Sequence, residues 1–156
     1  MIETANPTAA CNWAIESASL RDLRDLRQLE QVCFPQDAWP LLDLIGVLSM
    51  PGVVRLKAVA GGRFIGFVAG DIRRMDNVAW IATIGVQPEY RGCGVGAALL
   101  EACEQRIPIA TLRLCVRTDN LPAIRLYERS GYHRKGEWSA YYHDGAPALV
   151  MEKVRV

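Results

Sequence analysis

Cysteine is scarce and poorly spaced for metal or disulfide chemistry. The five thiols, Cys11, Cys33, Cys93, Cys103 and Cys115, are odd in number, and no two form a C-x-x-C pair. This excludes the usual zinc and dithiol redox motifs, so no metal is expected, and reduced thiols in a reducing compartment are the better reading. Lysine and arginine form no run interleaved with aromatics, and the formal net charge is only +1. Neither nucleic acid nor an anionic membrane surface is therefore expected as a partner. Nowhere do about 18 apolar residues run uninterrupted, and Met1 to Asn12 carry neither a basic n-region nor an apolar h-region, so membrane spanning and secretion are not indicated. The cytoplasm is the expected compartment.

What is present suits one enzyme-sized domain: 156 residues, of which 51% are hydrophobic and 22% charged. Residues 1–12 are expected to be a flexible polar leader and 13–156 a single domain without internal repeat or linker. Trp13 to Ser17 suggests a short strand. Ser19 can then cap a helix on which Leu20, Leu23, Leu26, Leu29 and Val32 recur at near-helical spacing. The Phe34–Pro40 stretch breaks that helix, Leu41 to Leu48 suggests another, and Pro51-Gly52 closes it. Val53 to Ala60 and Arg63 to Arg73 are β-rich and joined by Gly61-Gly62, which supplies the positive φ values of a two-residue hairpin turn. A strand over Val78 to Val86, a helix over Ala97 to Arg106, a strand over Ala110 to Val116 and a helix over Ala123 to Ser130 follow. Strands over Tyr132 to Tyr142 and Ala148 to Val154 end the pattern. The order predicts a mixed α/β fold, with a central sheet of about seven strands and about four helices on its faces.

Between the Val78 strand and the next helix lies Arg91-Gly92-Cys93-Gly94-Val95-Gly96-Ala97. Glycines let successive backbone N–H groups face one anion, a helix start near Gly96 adds unpaired donors and a positive dipole end, and Arg91 can add a charge-assisted bond. A pyrophosphate cradle is the natural reading. Gly92-x-Gly94-x-x-Ala97 also fits a Rossmann dinucleotide loop, but that loop belongs after the first strand, with an acidic residue about 20 positions on. Here it follows the fourth strand, and Arg113 to Arg117 supplies no acid. No Gly-Lys-Ser/Thr follows, which excludes a P-loop, and a glycine-rich turn that binds nothing stays open.

The second segment is Asn120-x-x-Ala123-x-x-Leu126-Tyr127-x-x-x-Gly131-Tyr132. Arg91-x-x-Gly94-x-Gly96 resembles the acetyl-CoA motif of the GNAT superfamily, and the Asn120 segment resembles its second motif, in the superfamily's order and spacing. From about Ile15 onward the chain is most similar to the RimI family of ribosomal-protein alanine N-acetyltransferases. Glu30 to Pro35, Trp39 and Tyr141-Tyr142 support this. The resemblance implies acetyl-CoA as cosubstrate, bound by the Arg91 to Ala97 loop, by Asn120 and by the backbone edge of Ile84, Gly85 and Val86. It implies Tyr127 as the acid that protonates the departing thiolate, and Phe34, Trp39, Tyr141 and Tyr142 as the lip of the acceptor groove.

For each residue a plainer role remains open. Tyr127 can be a packed core ring, Asn120 a helix cap, and Cys115 a small apolar group beside Leu112 and Leu114. Strand alternation would put Tyr141 and Tyr142 on opposite faces. The resemblance also places a glutamate base where this chain has Cys115, leaving Glu30, Asp37 and the tyrosine hydroxyls as unranked candidates. An acetyl-cysteine route through Cys115 would need an activating base. The acceptor is expected to be a primary amine, either a protein N-terminus or a small molecule such as an antibiotic, polyamine or amino acid. A non-catalytic CoA sensor is the third reading, and oligomeric state is open.

Overall fold

The computed structural model describes residues 12–156. Apart from Asn12, the expected leader lies outside the described residues, as does Cys11. Strand β1 is Ala14–Ser17. The Ser19 side chain accepts from the Arg21 N–H at 3.3 Å and the Ser19 N–H donates to Asp22 Oδ2 at 2.9 Å. This capped turn is 3₁₀ over Leu20–Asp22 and opens into helix α1, Leu23–Cys33. Pro40, extended and unable to continue a helix from before it, leads into α2, Leu41–Ser49.

Strands β2, Val53–Ala60, and β3, Arg63–Arg73, meet at Gly61 and Gly62, whose φ values of 55° and 76° are those the two-residue turn requires. Strand β4 is Val78–Val86, helix α3 Val95–Gln105, strand β5 Thr111–Arg117 and helix α4 Leu121–Arg129. Strands β6, His133–Trp138, and β7, Ala148–Val154, complete a seven-stranded sheet ordered β1-β2-β3-β4-β5-β7-β6. It is mixed: β4 and β5 are parallel and every other pair is antiparallel. Leu26 and Leu29 of α1 and Leu44 and Leu48 of α2 pack with Phe64 and Phe67 on one face. Leu99, Leu100 and Cys103 of α3 and Ile124 and Tyr127 of α4 pack with Ile65, Leu112 and Leu114 on the other.

Two irregularities shape the centre of the sheet. Ala69 pairs with Thr83 but Gly70 pairs with Ile81, so Ala82 is an extra residue on β4, a bulge that redirects the side chains beyond it. The parallel pairing of β4 with β5 runs only from Ala79↔Leu112 to Ile81↔Leu114, although the strands continue to Val86 and Arg117. Past the bulge the two strands therefore part.

β6 is shorter than the Tyr132 to Tyr142 run suggests. It ends at Trp138 because Ala140 takes a left-handed φ of 51°, after which the Tyr142 N–H donates to Ala146 O in a separate turn. Tyr132 instead points into the core, where its hydroxyl donates to Glu104 Oε1 at 2.9 Å.

Gly70 is required by packing. A Cβ there would lie 2.9 Å from both Cys103 Sγ and Ile107 Cδ1. Gly70→Ala should therefore destabilise the fold by about 1–3 kcal/mol, read as a lower urea midpoint with an unchanged m-value.

Candidate active site

The segment Arg91–Ala97 gathers at the start of α3. Gly92 and Gly94 have φ of 80° and 81°, and Gly94 is the helix N-cap. Few residues other than glycine adopt that conformation easily. The first intrahelical bond runs from the Ala98 N–H to Gly94 O, leaving the amides of Val95, Gly96 and Ala97 without partners inside the helix. A Cβ added at Gly92 or Gly94 would meet nothing within 4 Å, so the bend faces open space. At Gly96 a Cβ would touch Leu126 Cδ2 at 3.4 Å, so this glycine sets the close approach of α3 to α4. Arg91 turns back to the strand, Nε donating to Val86 O at 3.1 Å and Nη2 lying 3.6 Å from Cys33 Sγ. Cys93 is half-buried against the core.

A cleft of about 530 Å³ includes the gap between the parted strands, and both faces of the sheet contribute to it. Asn120, Ala123 and Tyr127 reach it from α4. Glu30, Phe34, Trp39, Cys115, Tyr141 and Tyr142 line it as well. Ile84 is also part of the wall, while the carbonyl of Val86 is taken by Arg91 and by the Cys33 thiol at 3.4 Å. Gly85 lets the end of α1 rest on the strand, since a Cβ there would lie 3.2 Å from Cys33 Sγ and 3.5 Å from the Phe34 ring.

Tyr127 is both a core ring and a cleft residue. It stacks edge-on with Tyr132 at 6.1 Å, and burial together with nearby Tyr142 raises its phenol pKa well above the usual value. At neutral pH it is a proton donor. Asn120 caps α4, its Oδ1 accepting from the Ala123 N–H at 3.3 Å, and lines the cleft at the same time.

Cys115 does not pack beside Leu112 and Leu114. Strand parity puts those leucines in the core and turns Cys115 toward the cleft, where it contacts the Tyr141 hydroxyl. Burial raises its thiol pKa, which disfavours the thiolate. Neither His133 nor His143 lines the cleft, so the acetyl-cysteine route has no imidazole to activate it there.

Tyr141 and Tyr142 do not flank a strand. The turn at Ala140 brings both rings to one cleft, their centroids 5.0 Å apart. Trp138 and Trp80 extend the aromatic rim at 5.6 Å and 5.8 Å.

Two elements of the site left no sequence signal. Arg117 donates to Asp37 at 2.6 and 2.9 Å, to Asp144 at 3.0 Å through each terminal nitrogen, and lies 4.5 Å from the Tyr142 ring centroid. It ties the segment after α1 to the β6–β7 loop, and holds the Asp144 carboxyl below the usual carboxylate range. Arg117→Ala is expected to speed amide exchange over 139–146 about tenfold or more, since charged hydrogen bonds are worth about 1.5–3 kcal/mol. Unchanged exchange would show that the loop holds itself. The second element is a bond from the Thr83 hydroxyl to Glu30 Oε1 at 2.8 Å, beside the bulge.

The known proteins that resemble this chain agree on the fold. N-alpha-acetyltransferase RimI of Mycobacterium tuberculosis is 32% identical over 138 residues, covering 85% of this chain and 86% of that protein. The crystal structure of the ribosomal-protein-S18-alanine N-acetyltransferase from Escherichia coli superposes with a TM-score of 0.81 at 27% identity, covering 93% of this chain and 96% of that one. Arabidopsis thaliana NAA60 in complex with acetyl-CoA shares the fold, with a TM-score of 0.80 at 21% identity over 92% of this chain and 98% of its own. Residues 20–132 match the model of the acetyltransferase (GNAT) family, and the chain belongs to that family.

Proposed function

We propose that this protein transfers an acetyl group from acetyl-CoA to the N-terminal α-amine of a protein or peptide, in the cytoplasm. The observation that carries this reading is the gap between β4 and β5. The unpaired amides of α3 are next to the β4 end, and an aromatic rim with buried acid surrounds the cleft that the gap opens into. The residues present fit acetyl-CoA. The φ values at Gly92 and Gly94 and the open space above them make an anion cradle, and the helix dipole favours phosphate there. The stretch at Ile84 and Gly85, beyond the last β4–β5 pair and short of the Val86 carbonyl that Arg91 occupies, offers an edge for an added strand-like arm, and the Asn120 amide nitrogen can donate to the same arm.

When bound, acetyl-CoA supplies an activated acetyl thioester. Tyr127 then delivers its phenolic proton to the departing sulfur, a proton that burial keeps on the ring at neutral pH. Phe34, Trp39, Tyr141 and Tyr142 confine the acceptor and exclude water, and Arg117 keeps the last two in place. An α-amine has a pKa of about 7.7–8.0 against about 10.4 for lysine, so a useful fraction is already neutral near pH 7.

The test is a turnover screen with acetyl-CoA and short peptides bearing free or blocked N-termini, beside lysine, polyamines and aminoglycosides. Turnover that requires the free N-terminus is expected. Turnover confined to the small amines would show a small-molecule acetyltransferase, and tight acetyl-CoA binding without turnover would show a sensor.

A further inference from the structure

Glu30 lies in the last turn of α1, only 3% exposed, at the helix end that disfavours negative charge. Its two carboxyl oxygens are used unequally. Oε1 accepts from the Thr83 hydroxyl at 2.8 Å, whereas Oε2 has no hydrogen-bond partner of ordinary geometry among the described residues, the Trp39 backbone acting on the carboxyl more weakly than Thr83 does. A buried carboxylate oxygen without a protein donor is costly, and it calls for a partner, whether water, an ion or a reacting group. Glu30 lines the same cleft as Tyr127 and Cys115. The unused oxygen therefore belongs to a group in the reaction cleft itself, in a site whose β5 wall, Leu114 to Arg117, carries no carboxylate.

We propose that Glu30 receives the acceptor amine and takes its proton, a role that rests on the acetyl-transfer reading above. Oε2 accepts a hydrogen bond from the acceptor ammonium and then one of its protons, freeing the nitrogen lone pair. The C–N bond forms and the C–S bond breaks. The sulfur takes the Tyr127 proton, the second proton leaving nitrogen replaces it through solvent, and Glu30 returns its own proton to water. Thr83 is the positioning residue, fixing the carboxyl plane so that Oε2 stays available.

The surrounding charges favour this role. Asp37, from the segment after α1, and Arg117, from β5, neutralise one another, and Asp144 adds a further negative charge to the pair. Cys33 of α1 faces Glu30 with Arg91 behind it. Cys115, Tyr127, Tyr141 and Tyr142 line the cleft with their pKa values raised, hence neutral, and Asp71 pairs with Arg73 in its wall. Among the described residues, no cation in the cleft is thus left over to neutralise Glu30. Burial raises its pKa, and Thr83 and the Trp39 backbone oppose that rise only in part. A carboxyl shifted toward neutrality is better matched to an α-amine proton than an ordinary one.

The deciding experiment compares wild type, Glu30→Gln and Thr83→Val, in kcat/KM against pH with an α-amine peptide and in the ¹³C titration of the Glu30 carboxyl. Gln can still accept from Thr83, so folding is preserved. Expected for Glu30→Gln are a loss of kcat/KM of about 10²- to 10³-fold, the scale of one general base, and an acid limb that moves to the titration of the α-amine itself, at about 7.7–8.0, with acetyl-CoA affinity unchanged. Thr83→Val removes a bond that favours the charged form, so the acid limb and the Glu30 titration should move to higher pH together. A Glu30 carboxyl titrating in the ordinary range, or an acid limb in Glu30→Gln at the wild-type position, overturns the proposal while wild-type turnover leaves the acetyltransferase reading standing. Absence of turnover by wild type with every amine overturns both.

Discussion

Tyr127→Phe is expected to lower kcat by about 10²- to 10⁴-fold and to leave acetyl-CoA affinity nearly unchanged, because it removes a general acid and little else. The ring packs edge-on against Tyr132 and is buried in the α3–α4 core, and phenylalanine keeps both contacts. No other residue of α4 that reaches the cleft carries an acidic proton: Ala123 has none and Asn120 is an amide. Burial already raises the Tyr127 pKa, so loss of its proton to solvent should not set the pH profile near neutrality. Rapid-quench kinetics at saturating substrates is the measurement. An unchanged kcat would reduce Tyr127 to a packing residue and send the sulfur elsewhere for its proton.

Gly94→Val should weaken acetyl-CoA binding by about 10- to 100-fold. The physical reason is the backbone more than the volume of the side chain. At φ 81° a β-branched residue is strained, by about 1–3 kcal/mol, and a Cβ itself would meet only open space. Relaxing that strain rotates the Val95 to Ala97 amides away from a common centre and loses the N-cap of α3. Calorimetry that found the same affinity would remove the pyrophosphate from this loop. Gly92, at φ 80°, should respond in the same sense.

The regular elements were legible because their signals are local. β2, β3, β4 and β7 follow β-rich runs bounded by turn residues, and the Gly61-Gly62 hairpin needs only two positive φ values. The end of β6 is not legible in the sequence, because it is set by a left-handed Ala140, a residue type with no preference for that conformation. That same turn is what places Tyr141 and Tyr142 together, so strand alternation gave the wrong picture of the pair. Cys115 lies an odd number of positions from Leu112 and Leu114, so its apolar neighbours in sequence face the opposite side of the strand.

The glycine loop and Tyr127 were readable as motifs. The Arg117 contact with Asp37 spans 80 residues and the Thr83 contact with Glu30 spans 53, and no spacing rule reaches that far. Thr83 follows the bulge at Ala82 and Arg117 lies beyond the last β4–β5 pair, and both features are properties of pairing and not of either strand alone.

The most direct test of the central claim is to incubate the protein with acetyl-CoA and a peptide carrying both a free α-amine and an internal lysine, and to locate the product acetyl by tandem mass spectrometry. The account predicts acetyl on the α-nitrogen, with the lysine unmodified. Acetyl on the lysine, or none on the peptide while CoA is released with a small amine, would contradict it.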